Sequence, residues 1–335
     1  MMIGRIPRWL FVVGIVIVAS GCDHVSWGGV ELSLEGPAAD TTISQPDTAG
    51  LQAPPDPAVS LGPLLYAGTR TGNRAQVVPV AEITEQGLQP LPGGPEGMEV
   101  NDQILQGRLR PGAELILFHQ GARVGALVLD QGEIVTDTYC QARPQGTGQL
   151  LLSPDAADAE RFLALESPRG HPFGPYQELN STYDQRVASL NLGAEAVPLV
   201  GATWPPSLLE IRQDLQILDL AGGAAPAVLA TFVYRDQLRI GPAPEDAYAL
   251  LILGEPRGAD FELAYTWYRP VGAEGKGVPR YVSRMDWDGD GQEEILLEVL
   301  GADTHWFAAV DRGPERWLTI FQDPCGTPGA QGGGG

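Results

Sequence analysis

Asp286-Trp287-Asp288-Gly289-Asp290-Gly291-Gln292-Glu293-Glu294-Ile295-Leu296-Leu297 aligns without gaps on Asp219-Leu-Ala-Gly-Gly-Ala-Ala-Pro-Ala-Val-Leu-Ala230, 67 residues earlier. An alternating run precedes each copy, at 209–218 and 281–285, and three strand-like runs follow it. In the first copy these lie at 228–234, 248–253 and 261–268; in the second, at 295–300, 306–310 and 317–321. Four short strands recurring at a fixed period predict an all-β fold built of propeller-blade-type or stacked four-strand units. Two units are too few to close a propeller.

Upstream, residues 114–118, 124–129 and 134–139 are short apolar or alternating runs separated by Gly121 and Gly132, the pattern of a β-meander. The reading therefore places an N-terminal β-domain at 61–170, a Gly-, Pro- and Asn-rich connector at 171–200, and the repeat region at 201–326. One short helix is expected over 153–165: Ser153 can cap it, Pro154 suits its first position, and Ala and Leu follow. The Gly-rich 327–335 reads as a disordered tail.

The loop at 286–294 is the one motif that carries chemistry. Asp286, Asp288, Asp290 and Glu294 stand at positions one, three, five and nine, with Gly291 at six for a sharp turn. Such spacing wraps a hard cation in oxygen ligands, and Gln292 at position seven would add its backbone carbonyl. Charge points the same way. With Glu293 and Glu298 there are six acids in thirteen residues. Carboxylates ~5 Å apart repel by nearly 1 kcal/mol per pair even in water, which a divalent ion reverses. An EF-hand is excluded, because position twelve is Leu297 and the flanking segments read as strands. A D-x-D-x-D-G-x-x-E loop between strands resembles the calcium loops of FG-GAP and VCBS repeats, over about residues 205–322. That resemblance implies bound calcium in the second copy alone, since the first has Ala221, Gly223 and Ala227 where the second has Asp288, Asp290 and Glu294.

The N-terminus sets an address. Arg5 and Arg8 precede an apolar run at 9–18, then Ala19-Ser20-Gly21-Cys22. This is the layout of a secretory signal, too short for a membrane span. Cys22 after small residues resembles the lipobox of bacterial lipoproteins, which implies cleavage after residue 21, acylation of Cys22 and attachment to the membrane by lipid. Residues 22–60, rich in Pro and Ala, then read as a disordered linker.

The chain's formal charge is -21, and removing residues 1–21 with Arg5 and Arg8 leaves -23. This balance excludes nucleic acid as a partner, since phosphate binding needs Lys and Arg. An envelope protein or a glycan remains as the partner class. With Cys22 lipidated, Cys140 and Cys325 are left, and an oxidising compartment favours a disulfide between them. The four His are scattered, and no G-x-S-x-G elbow or phosphate loop is present. Two function classes fit: a membrane-anchored extracytoplasmic binding or scaffold protein with a structural calcium loop, or an envelope hydrolase acting on polysaccharide or peptide through unrecognised residues. Calcium acting only as a folding staple is a third reading.

Overall fold

The computed structural model describes residues 61–167, 175–220 and 225–327. The signal and linker at 1–60 with Cys22, the tail from 328, and Ala221 and Gly223 of the first repeat lie outside the described residues. No helix among the described residues is long and apolar enough to cross a membrane.

The chain from 61 opens with β1 (Leu64–Thr71), β2 (Arg74–Thr84), β3 (Gly87–Pro90), α1 (Gly94–Gly107), β4 (Glu114–His119), β5 (Ala122–Val135), β6 (Arg143–Leu152) and β7 (Arg161–Leu165). The strands pair antiparallel in the order β1-β7-β4-β5-β6-β2, and β2 pairs back onto β1. Six strands thus close a barrel, with β3 added beside β2. Closure leaves these strands without open edges. The period-two pattern divides them cleanly. Leu64, Tyr66, Val77, Leu115, Leu117, Phe162 and Ala164 gather with Val100 and Ile104 of α1 in one core. Their neighbours Leu65, Val78, Val80, Phe118, Leu163 and Leu165 face a second core shared with the C-terminal half.

That half runs α2 (Tyr183–Leu199), α3 (Leu208–Ile211), β8 (Arg212–Leu218), β9 (Ala227–Tyr234), β10 (Tyr248–Arg257), β11 (Asp260–Pro270), α4 (Val271–Glu274), β12 (Val278–Met285), β13 (Glu294–Leu300), β14 (His305–Arg312) and β15 (Trp317–Gln322). Strands β8–β11 and β12–β15 form two four-stranded antiparallel meanders, one for each sequence repeat. The sheets stack in layers. Met285, Leu296, Phe307 and Phe321 of the second sheet pack on the barrel wall. Alternate residues Tyr281, Ile295, Leu297 and Val310 pack on Leu218, Leu229, Leu251 and Leu253 of the first sheet. The outer face of the first sheet, through Val228, Phe232 and Leu250, is covered by Leu192, Ala196 and Val197 of α2. Sheets covered on both faces are encoded by continuous apolar strands, as in 295–297 and 250–253.

Three readings from sequence change here. The helix expected over 153–165 does not form: only Pro154–Ala156 makes a 3-10 turn, and Ser153 makes no side-chain cap. Phe162 and Ala164 must enter the barrel while Leu163 and Leu165 meet the second sheet, which demands a strand. The connector at 171–200 contains the 17-residue helix α2, opened by a Thr182–Gln185 capping box. Its packed face mixes the small Ser189, Gly193 and Ala196 with Leu192 and Val197, and apolar residues such as Val187 and Leu199 lie on the exposed side, so it shows little apolar contrast. The 134–139 run adds no strand of its own; β5 ends at Val135, and Tyr139 makes an isolated bridge to His305.

Because Leu296 is fully buried between two layers, Leu296→Ala should cost about 2–5 kcal/mol in denaturant unfolding. Leu318→Ala, at a residue 39% exposed, should stay within about 0.5 kcal/mol.

Candidate metal centre

The hairpin between β12 and β13 is the 286–294 loop. Met285 and Glu294 pair across its base, so the loop starts and ends on two fixed strands. Trp287 is its anchor: the side chain is fully buried in the core between the barrel and the second sheet. Beyond it the chain must turn back within a few residues. Gly289 and Gly291 do so with φ of 85° and 91°, conformations that side-chain-bearing residues rarely adopt. The aspartates then organise the turn. Asp286 accepts from the N–H groups of Gly289 at 2.7 Å and Gly291 at 3.0 Å. Asp288 accepts from Asp290 N–H at 3.1 Å.

These contacts bring carboxylate oxygens of Asp286, Asp288, Asp290 and Glu294 within 4.8 Å of one another, a group able to hold a metal ion. Asp288 and Asp290 are on the solvent side, whereas Asp286 and Glu294 are buried. Gln292 is held beside Asp290, its backbone N–H donating at 2.7 Å and its side-chain amide at 3.3 Å. Glu294 is the extreme member. It is fully buried; Oε2 accepts from Trp287 N–H at 3.1 Å, and no donor among the described residues reaches Oε1. Burial, reinforced by the charge of Asp288, pushes its carboxyl up to about 9. Burial and the neighbouring Asp290 and Asp286 also raise Asp288.

One acidic neighbour of the loop escaped the sequence reading. Asp311 of β14 lies within electrostatic reach of Asp288, Asp290 and Glu294, and its own carboxyl is raised, first by burial and then by Asp290 and Asp288. The Ile295–Val310 pair puts it next to the loop, although it lies 17 residues beyond Glu294 in sequence.

The loop is tied to the barrel from outside as well. Glu293 forms an ion pair with Arg284, and the β4–β5 turn docks there, Gly121 N–H donating to Arg284 C=O at 2.9 Å. In the first repeat Asp219 is described, but Ala221 and Gly223 are not, and Ala227 begins β9.

Cys140 and Cys325 form a disulfide with Cα atoms 6.2 Å apart, well away in sequence from the acidic loop. Beside them the buried pair Arg143–Asp323, 2.6 Å apart, pins the C-terminal segment to the barrel. Asp323 also accepts from Phe307 N–H, and Arg143 donates to the carbonyl of Pro79. Of the histidines, His305 pairs with Glu298, and burial lowers His119 to about 4. His24 and His171 lie outside the described residues.

Compared with protein-family models, curated proteins and solved structures, the chain has no significant match.

The raised Glu294 carboxyl has a signed consequence for protein kept in chelator. Between its ordinary value of 4.5 and about 9 the folded state holds a proton that the unfolded chain has released. Stability therefore falls as pH rises through that window. Glu294→Gln, which imitates the protonated acid, should remove this component, so the variant's advantage over the parent should grow from pH 5 to pH 9. Denaturant unfolding across that range tests it; parallel stability curves would refute it.

Proposed function

We propose that this chain is a membrane-anchored extracytoplasmic lipoprotein with a binding or scaffold role, in which one calcium ion held by the 286–294 loop stiffens the junction of barrel and second sheet. The observation that carries the calcium reading is the fully buried Glu294, whose Oε1 meets no donor and belongs to the four-carboxylate group. An uncompensated carboxylate at that depth is costly, and a cation removes the cost. The donor set is all oxygen, which suits calcium or magnesium over softer ions. A spread of up to 4.8 Å matches the width of a calcium shell with ligands at about 2.3–2.6 Å. The D-x-D-x-D-G-x-x-E pattern and its resemblance to FG-GAP-type loops favour calcium further. Because Trp287 sits in the shared core, ordering the loop also orders the barrel–sheet contact.

The address rests on Arg5, Arg8, the apolar 9–18 run and Cys22. A Cys140–Cys325 disulfide suits the oxidising envelope that such a signal implies. A strongly acidic chain tethered there fits an envelope protein or a glycan as partner.

Calcium that binds the folded state alone adds about 2.7 kcal/mol at a hundredfold excess over Kd. Sites of this class often need ~0.1–1 mM ion, so the melting temperature should rise in millimolar calcium. Asp288→Ala should abolish the rise and Asp219→Ala should keep it. A rise of the same size in Asp288→Ala would mean that the loop is an acidic turn with no ion. For the address, Cys22→Ser should move the protein from the membrane fraction to the soluble envelope fraction and remove the acyl mass; an unchanged membrane fraction would refute lipidation.

A further inference from the structure

A second polar site lies between the outer barrel wall and the second sheet, built from groups unrelated to the acidic loop. There a small cavity of about 30 Å³, room for roughly two waters, is lined by Thr69, Gln76, Tyr139, Gln145, Arg161 and Glu298. Thr69 and Gln76 are exposed at its rim, and Glu298 is buried.

Arg161 is the member without a contact partner. It pairs with Thr69 across β7 and β1, next to Phe162, which enters the barrel core; Arg161 therefore points outward, toward the second sheet. Its guanidinium makes no hydrogen bond or ion pair with another described residue, and Nε is shut off from water. Its pKa is lowered, first by burial and then by the like charge of Arg280, against the opposing charges of Glu298, Asp214 and Glu160, none of which is in direct contact with it. Glu298 is not available to it. Arg280 takes one carboxylate oxygen, with Nε at 3.1 Å, and His305 takes the other. Burial works against the ionised form, yet His305 and Arg280 bring the Glu298 carboxyl down to about 2, so its charge is present and already matched. Gln145 Nε2 donates to Gln76 Oε1 at 3.3 Å, which occupies that carbonyl and leaves the Gln76 amide as a donor. Beside the Glu298 carboxylate, already engaged by Arg280 and His305, and the Gln145 carbonyl, the cavity is thus lined by several donors: a guanidinium, an amide and two hydroxyls.

We propose that this cavity binds one small monovalent anion, a halide or the carboxylate end of a small solute, with Arg161 as its charge partner and Gln76 and Tyr139 as supporting donors. Arg161 is only partly buried, with Nε shut off from water, and an anion at hydrogen-bond distance supplies the contact its guanidinium lacks at a volume the cavity provides. The site is independent of the calcium loop.

The test uses the whole mature chain. Crystals soaked in bromide should show one anomalous peak beside Arg161. At fixed ionic strength the melting temperature should rise saturably with chloride or with acetate, whichever is the better occupant, and not with a sulfonate too bulky to enter. Gln76→Leu, at the exposed rim, should weaken the response about tenfold, the cost of one charge-assisted contact. Arg161→Met should abolish it, and Asp288→Ala should leave it unchanged. Bromide absent from the cavity, equal melting in all three anions, or an undiminished response in Gln76→Leu would each overturn the proposal. If Arg161→Met fails to fold, the bromide peak and the Gln76→Leu titration decide.

Discussion

Like charges held together against an apolar core are the constraint from which the C-terminal half of this molecule is best understood. A loop that gathers Asp286, Asp288, Asp290 and Glu294 within 4.8 Å, with Glu294 fully buried, is unfavourable in isolation. The fold nevertheless imposes it, because Trp287 is locked into the core and Met285 and Glu294 are paired strand residues. The backbone N–H groups of Gly289 and Gly291 soften the repulsion by binding Asp286, yet nothing comparable reaches Glu294 Oε1. A proton or a cation would complete the site, and the two would compete.

The same logic of burial on both sides shapes the layers around it. The second sheet is enclosed between barrel and first sheet, and several of the charged groups inside the stack come as matched sets. Arg143–Asp323 and the Arg280–Glu298–His305 cluster are examples. Removing one member of such a pair strands the other, typically at about 3–5 kcal/mol. The Arg143–Asp323 pair also explains how the segment after β15 stays on the barrel, with the Cys140–Cys325 bridge beside it.

The parts of this architecture legible in sequence are those written locally. The acidic loop occupies nine consecutive residues, and the doubly covered strands appear as short apolar runs, so both the repeat and the carboxylate group are read directly. Features created by distant pairing are invisible. Barrel closure depends on β1 meeting both β2 and β7, and Asp311 reaches the loop only through the register of β13 and β14. Composition misled at β7, where Ala and Leu after Ser153-Pro154 outweigh an alternation only five residues long. In α2 the Thr182 and Gln185 cap is present in the sequence, but small Ser189 and Gly193 on the buried face and exposed Val187 and Leu199 leave almost no helical periodicity to go with it.

The central claim is that the buried carboxylate group is completed by calcium at the expense of a proton. Titration calorimetry of the whole mature chain near pH 7.5, repeated in buffers of different ionisation heat, tests it most directly. The account predicts one calcium per chain with about one proton released, since Glu294 titrates near 9 before the ion enters. It also predicts that binding is lost in Glu294→Ala. No calcium uptake at millimolar concentration, or uptake that persists in Glu294→Ala with the same buffer dependence, would contradict it.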